Sequence, residues 1–386
     1  MLKGYIFIAN STKPNKEKYE SRDEIICGNV SKPCLQAALD MGYDVHYGVN
    51  RKNPGELKCN MPVKLFEAHT YRSLTNFKDN KVAYKNFMKV LKENEIEAIH
   101  CNTPIGGTIG RICGRLKKVK KVIYTAHGFH CYKGAPLFNR TVLKWAEQIM
   151  AHWTDAIITM NQEDYEFAKT LKLRNDGKVY CVHGVGINTE DYFNAKVDVD
   201  AKRQEFGLDK DDILLISMGD LIPRKNYPVA IKAIAEVNNS KLHYLICGKG
   251  PELGNLKTLA KELGVENQIH FLGFRTDIKE LAKASDIFIF STLQEGMPRS
   301  MMEAMACGLP CIASKIRGNV DLIEEGVNGY LCDILDVSGF AGAIKNISEN
   351  KDLRDAMSKA NLEKIKEYDI SVVEKEIKEI YDEVLK

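Results

Sequence analysis

Several features are missing from this chain, and each absence narrows what it can be. No apolar run approaches the roughly 20 residues a helix needs to span a bilayer. The opening MLKGYIFIAN holds a short apolar stretch that polar residues soon break, so it reads as a first strand rather than a signal peptide. Neither charge sign is in large excess: 55 Lys and Arg stand against 52 Asp and Glu, a net of +3, so no global field for nucleic acid is indicated. The eleven cysteines are an odd number without CxxC pairs. The closest two, Cys307 and Cys311, straddle a helix end and the next strand, whereas a metal site wants repeated close spacings with histidines nearby. Reduced cysteines packed as small core residues of a cytosolic protein fit better. Internal repeats and low-complexity tracts are also lacking.

What is present is a chain of 386 residues, 44% hydrophobic and 28% charged. That composition describes a soluble globular protein too long for one ordinary core, so two domains are expected. Short apolar runs alternate with helical patterns. In the first half, strands are expected at Gly4–Ala9, Asp44–Gly48, Ala98–Cys101, Lys121–Thr125, Ala156–Met160 and Val179–His183, with helices such as Tyr84–Asn94 and Leu137–His152 between them. In the second half, strands are expected at Ile213–Met218, His243–Cys247, Ile269–Leu272, Ile287–Phe290 and Cys311–Ala313. Helices near Val229–Val237, Leu253–Leu263, Ile278–Ala284 and Arg299–Cys307 join them. This alternation predicts parallel sheets covered on both faces. There are too many strands for one sheet, and the polar stretch 188–212 reads as a linker before the series restarts. The expected class is α/β, with two doubly wound, Rossmann-like domains facing each other across a cleft and ligands bound beyond the carboxyl ends of the strands.

The segment 290–314, FSTLQEGMPRSMMEAMACGLPCIAS, carries two acids eight positions apart. Pro298 suits the first turn of a helix, and Gly308 suits its end. Glu295 then lies in the loop at a strand's carboxyl edge and Glu303 on the helix that follows, so both carboxylates can point into one cleft. Free N–H groups at the helix start make a phosphate site. Carboxylates that accept from hydroxyls, beside amides that hold a diphosphate, suit a nucleotide sugar. The plain structural alternative is a favourable charge near a helix start and a solvated helix residue. Met301, Met302, Ala304, Met305 and Ala306 argue against it, because an acid on a helix buried on most sides needs a partner.

The E-x7-E segment EGMPRSMMEAMACGLPCIAS resembles the donor-site signature of family 4 retaining glycosyltransferases, which have the GT-B fold. Other pieces agree in order: SMGDLIPRKNY resembles that family's diphosphate loop, CGKGP at 247–251 follows a strand, and HFLGFRTD at 270–277 resembles the segment lining the base. TAHGFHCYKGAP at 125–136 and HCNTPIGGTIGR at 100–111 resemble capsule and exopolysaccharide glycosyltransferases. The resemblance covers nearly the whole chain. It implies an N-terminal acceptor domain over 1–187, a donor domain over 188–367 that begins with the charged linker, and a helix over 368–386 crossing back to the first domain as a hinge brace.

The resemblance also implies roles. Glu303 would bind the ribose hydroxyls, and Glu295 would meet the donor sugar, framed by Gly296, Met297, Arg299 and Ser300. Gly219, Gly248, Phe274 and Arg275 would complete the nucleotide site. Lys225 would neutralise the leaving diphosphate, where charge grows in the transition state. Many relatives carry arginine directly after the loop's first glycine. Here Asp220 follows Gly219, so Arg224 is the candidate second cation, with an exposed loop charge as its alternative. His127, at a strand end before Gly128, would help stabilise the reacting centre. His130 would face the acceptor or only pack. His100, Thr103, Gly106 and Gly107 lead into a helix start that could hold an anionic acceptor group, although a tight turn alone would explain the glycines.

The implied chemistry is a front-face displacement in which the departing phosphate helps deprotonate the acceptor hydroxyl, so no protein nucleophile is required. The retaining-glycosidase pair of carboxylates is not transferred. Asp198-Val-Asp200 and Asp209-Lys-Asp211 match a metal-binding Asp-x-Asp pattern but fall in the charged linker, so neither metal nor cofactor is expected. The partners expected are a UDP-sugar donor and a glycan acceptor, lipid-linked through a polyprenyl diphosphate, with no nucleic acid. RLKKVKKV at 115–122 and the apolar-aromatic segment 137–153 could draw the first domain to anionic headgroups. Their alternatives are a favourable helix C-terminus and core. The location expected is cytoplasmic, peripheral on the inner face of the membrane. Two rival readings remain. A sugar-nucleotide epimerase would turn over donor without acceptor, and a noncatalytic nucleotide-sugar-binding protein would bind without transfer.

Overall fold

The computed structural model describes residues 3–11, 24–71 and 75–386. It divides into two compact units, Met1–Gly186 with Ile370–Lys386, and Ile187–Asp369.

The first unit is built on a seven-stranded parallel sheet. Its spatial order is Lys64–Glu67, Asp44–Val49, Gly4–Ile8, Ile96–Asn102, Lys121–Thr125, Ala156–Thr159 and Lys178–Cys181. Central strands such as Gly4–Ile8 are buried along their whole length, as a parallel sheet covered on both faces requires. Chain order reverses between Gly4–Ile8 and Ile96–Asn102, and this switch point is where such folds bind ligands. The last helix, Ile370–Val384, lies on this unit against the helix Lys32–Asp40. There Tyr381 forms a buried hydrogen-bonded chain, with its hydroxyl 2.5 Å from Tyr5 Oη and 2.5 Å from His100 Nδ1, while His100 Nε2 meets Thr125 Oγ1 at 2.7 Å.

The second unit carries a six-stranded parallel sheet ordered Ile269–Gly273, Leu242–Cys247, Ile213–Met218, Ile287–Phe290, Cys311–Ser314 and Gly329–Cys332. It has the same winding, with its switch point between Ile213–Met218 and Ile287–Phe290. The core beneath it is mainly aliphatic, with Leu215, Ile231, Ile246, Ile289 and Ile344 joined by the ring of Phe340.

Sequence and structure differ in several places. Lys64–Glu67 and Gly329–Cys332 are strands that no apolar run announced. Both are short edge strands with partly exposed side chains, so neither needs a continuous hydrophobic stretch. The stretch 188–212 belongs to the second unit and holds two short helices, Thr189–Phe193 and Val199–Gln204. Arg203 ties it down through Asp286 Oδ2 and the Ala284 carbonyl, both at 3.1 Å, and Lys202 through Asp277 at 2.9 Å. The carboxylate of Asp198 caps the second helix at Ala201 N, 3.0 Å, and Asp212 accepts from Asp209 N at 2.7 Å. In the first Asp-x-Asp pattern, the Asp198 carboxylate is thus taken up by a backbone cap. The expected helix 137–152 is a π-helical turn, Asn139–Leu143, followed by the α-helix Lys144–Ala151.

Candidate functional site

At the second unit's switch point, two loops leave neighbouring strands and meet. The first runs Gly219–Asn226 after Ile213–Met218, turns through Pro223–Lys225, and enters the helix Tyr227–Val237 through Asn226 in the left-handed region (φ 51°). The second runs from Ser291 after Ile287–Phe290 to Pro298, where the helix Arg299–Ala306 starts. On that helix Met301, Met302, Ala304, Met305 and Ala306 are buried, each methionine adding about 1.5–3 kcal/mol of burial. Arg299 and Glu303, one turn apart, share the remaining face.

The loops are joined by charge. Glu295 Oε1 receives Lys225 Nζ at 2.7 Å, Arg224 Nη1 at 2.6 Å and Thr292 Oγ1 at 3.1 Å. Arg224 also donates to the Gln294 carbonyl at 2.5 Å, and the buried Arg317 donates Nε to the Glu295 carbonyl at 3.0 Å. Lys225 and Glu295 are largely shielded, with side-chain exposures of 13% and 14%, and Lys225 Nζ lies 4.5 Å from the Phe290 ring centroid. Burial pulls the Lys225 ammonium below the ordinary lysine range, and Glu295 offsets this only in part. Two cations, one carboxylate and the first amides of a helix therefore stand together where an anion would be held.

Beneath the first loop lies Cys247-Gly248-Lys249-Gly250. A Cβ on Gly248 would stand 1.9 Å from the Gly219 carbonyl oxygen, and one on Gly250 would stand 2.2 Å from that of Leu221. Gly219 N–H bonds the Cys247 carbonyl and Leu221 N–H that of Lys249, at 2.9 and 3.0 Å. Gly248 thus supports the loop Gly219–Asn226 from below by letting two backbones touch.

Other candidates are placed differently. Glu303 pairs with Arg299 Nε at 2.8 Å and stands beside Tyr192, whose phenol pKa is pushed up by burial and by that carboxylate. Gly296, Met297 and Ser300 line the loop and first turn of this helix, half-buried. Phe274 is an exposed ring just after the edge strand Ile269–Gly273. Arg275 is held by Asp277 at 2.7 and 2.6 Å and by Glu205 at 2.8 Å, so its guanidinium braces this edge of the unit.

In the first unit, His127 and Gly128 follow the strand Lys121–Thr125, both half-buried, with Gly128 at φ 126°. His130 is half-buried in the same loop. His100 is corrected to a core residue: it is fully buried, both ring nitrogens are engaged, and burial followed by the nearby His127 pushes its pKa down to about 3. Gly107 and Gly106 are packing glycines, since a Cβ on Gly107 would stand 2.3 Å from the Tyr124 ring and one on Gly106 3.2 Å from the Ile8 carbonyl. Thr103 sits at φ 65°, and its Oγ1 accepts from Asn10 N at 2.9 Å.

The sequence reading missed Thr292, Arg317 and Tyr192. Arg317 follows the strand Cys311–Ser314, and that position at a strand's carboxyl end was a usable signal. Tyr192 lies in a polar stretch that carried none. Among the described residues, no group of three His, Cys, Asp or Glu side chains could hold a metal ion.

Comparison with known proteins gives the same picture. The family described as Glycosyl transferases group 1 matches residues 198–364, and Glycosyl transferase 4-like matches residues 24–173. EpsD of Bacillus subtilis (strain 168), a glycosyltransferase by designation, is 33% identical over 326 residues, 83% of this chain and 84% of its own. The Escherichia coli UDP-Gal:alpha-D-GlcNAc-diphosphoundecaprenol alpha-1,3-galactosyltransferase is 31% identical over 72% of this chain and 73% of its own. Anabaena Alr3699/HepE, solved in complex with UDP-glucose, superposes with a TM-score of 0.75 at 19% identity, covering 98% of this chain and 99% of that one. This chain belongs to the family 4 glycosyltransferases and has the GT-B fold.

Proposed function

We propose that this glycosyltransferase moves a hexosyl or N-acetylhexosaminyl group from a UDP-sugar to a polyprenyl-diphosphate-linked glycan in capsule or exopolysaccharide synthesis, with retention and without a metal. The observation that carries the reading is the meeting of Lys225 and Arg224 on Glu295 at the switch point, beside the helix start at Arg299. On donor binding, the diphosphate takes over the two cations, and Glu295 turns to the sugar hydroxyls. The bond from the anomeric carbon to the phosphate oxygen then breaks, and the acceptor oxygen forms the new bond on the same face. The acceptor proton passes to the departing phosphate. Lys225, held charged and shielded, stabilises the charge that grows there. Glu303 holds the ribose and His127 supports the reacting sugar.

Similarity to a transferase named for UDP-Gal and a diphosphoundecaprenol acceptor supports the donor and acceptor classes. Peripheral attachment is supported by an exposed cluster on the first unit. Leu137, Phe138 and Trp145 are 69%, 61% and 64% exposed, with Arg140 and Lys144 on the same segment. No helix among the described residues is long and apolar enough to cross a membrane.

The test is a radiolabel transfer assay with a panel of UDP- and GDP-sugars and synthetic polyprenyl-diphosphate acceptors, with and without chelator. Transfer from a UDP-sugar that persists in EDTA is expected. Donor turnover without acceptor would favour an epimerase, and binding without transfer would favour a noncatalytic nucleotide-sugar-binding protein. Glu303→Ala should weaken UDP about 10- to 100-fold by calorimetry, the loss of charge-assisted hydrogen bonds worth about 1.5–3 kcal/mol.

A further inference from the structure

The loop 291–298, which carries Glu295, is held from two sides. On one side the Leu293 N–H bonds the Arg224 carbonyl at 2.8 Å and Ser291 Oγ bonds that of Asn226 at 2.9 Å, which ties its first half to the loop Gly219–Asn226. On the other side stands the turn 315–319, which follows the neighbouring strand Cys311–Ser314. Arg317 Nε donates to the Glu295 carbonyl at 3.0 Å. The next carbonyl, that of Gly296, lies against Gly318: a Cβ there would stand 2.1 Å from the Gly296 oxygen and 3.3 Å from Pro298 Cδ. Two consecutive carbonyls therefore rest on two consecutive residues of one turn.

The turn is itself fixed. Lys315 N–H bonds the Cys332 carbonyl at 2.7 Å, and the fully buried Asn319 donates Nδ2 to the Ser314 carbonyl at 2.8 Å. Gly318 takes φ 80°, where a side chain would be strained, and its N–H bonds Asp321 Oδ2 at 3.1 Å. Arg317 is 6% exposed, so its guanidinium is a buried cation, and its bond to the Glu295 carbonyl is charge-assisted. A buried charge is costly to hold, and a loop that only needed closing could be joined by a neutral donor.

Glu295 has two tasks in the proposed reaction: its carboxylate takes Lys225 and Arg224 before the donor binds and the sugar hydroxyls afterwards. The carboxylate must swing while its Cα stays still, because a displacement of about 1 Å at a reacting centre can cost about 100-fold in rate. We propose that Arg317, backed by Gly318, is a positioning residue for sugar transfer. It fixes the backbone of Glu295, so that only the side chain turns between the cations and the donor sugar. The inference rests on the reading of Glu295 as the carboxylate that meets that sugar.

The test is a double-mutant cycle on kcat/KM for the UDP-sugar, with UDP affinity measured beside it by calorimetry. Arg317→Lys keeps a cation but puts a methylene where the Nε–H donor stands. It should lower kcat/KM about 10- to 100-fold, chiefly through kcat. UDP affinity should stay at the wild-type value, because UDP brings no donor sugar for Glu295 to meet. In a Glu295→Ala background the same substitution should cause no further loss. Gly318→Ala leaves every charge in place and presses on the Gly296 carbonyl. It should give the same pattern, and it carries the test if Arg317→Lys does not fold. Unchanged kcat/KM in folded Arg317→Lys overturns the proposal. Losses that multiply with that of Glu295→Ala, or that fall equally on UDP binding, overturn it too, since a merely structural brace behaves in those ways. Glu295→Ala transferring as fast as the wild type overturns the Glu295 reading, and this inference with it.

Discussion

In the proposed reaction, Lys225 is the residue on which the chemistry turns. Its ammonium is shielded, sits against the Phe290 ring and shares Glu295 with Arg224. Lys225→Ala should slow transfer about 100- to 1,000-fold, the scale of losing one preorganised charge contact in a transition state. UDP affinity should fall much less, and parallel loss of both in kinetics and calorimetry would contradict the role. Because burial lowers the pKa of Lys225, the ammonium is charged at low pH and loses its proton below the usual lysine value of 10.5 as pH rises. The kcat/KM profile, which reports the free enzyme, should therefore show an alkaline limb below that value. Lys225→Arg should move the limb upward, since a guanidinium stays charged. A wild-type limb at or above 10.5 would remove the lysine from this step.

Elements in this protein are positioned by a few buried polar contacts as much as by apolar packing. Arg111 is fully buried on the helix Pro104–Leu116, with its guanidinium 3.9 Å from the Tyr124 ring centroid and paired with Glu147 at 2.7 and 3.2 Å. That pair ties the helix to Lys144–Ala151. Glu147→Ala should cost about 3–5 kcal/mol in urea unfolding, because it strands a buried cation. A change under 1 kcal/mol would mean that water already reaches Arg111. Element boundaries were legible where burial is continuous: Ile213–Met218, Ile287–Phe290 and Lys121–Thr125 match the apolar runs residue for residue. The edge strands Lys64–Glu67 and Gly329–Cys332 were not legible, because an edge strand is stabilised by one neighbour's hydrogen bonds and needs little hydrophobic pattern.

On the scale of the whole molecule, the chain passes between its units twice, at Gly186–Ile187 and Asp369–Ile370. The two passages are tied to each other: Ile187 N–H bonds the Tyr368 carbonyl at 3.1 Å, and Thr189 N–H and Oγ1 bond Asp369 Oδ2 at 3.0 and 2.7 Å. The exposed Phe138 and Trp145 with their basic neighbours suit a membrane surface, where each Lys or Arg near anionic lipid contributes about 1 kcal/mol. In flotation assays the protein should bind vesicles containing anionic lipid and release at high salt. The pair Phe138→Ser with Trp145→Ser should abolish flotation while preserving transfer to a water-soluble acceptor. Equal flotation with purely zwitterionic vesicles would refute the electrostatic part.

The sequence alone determined the two parallel-sheet halves and the loops that carry Lys225 and Glu295. Strand–helix periodicity is local, and a doubly wound sheet puts its ligand loops at strand carboxyl ends wherever the strands fall. Only the tertiary structure decided partners. It set Arg224 and Lys225 on one carboxylate oxygen, turned Arg275 to Glu205, and sank His100 beneath the last helix against Tyr381. The physical reason is distance along the chain: Tyr381 lies 281 residues from His100 and Glu295 lies 70 from Lys225. Such contacts depend on how whole elements pack, which no local pattern encodes.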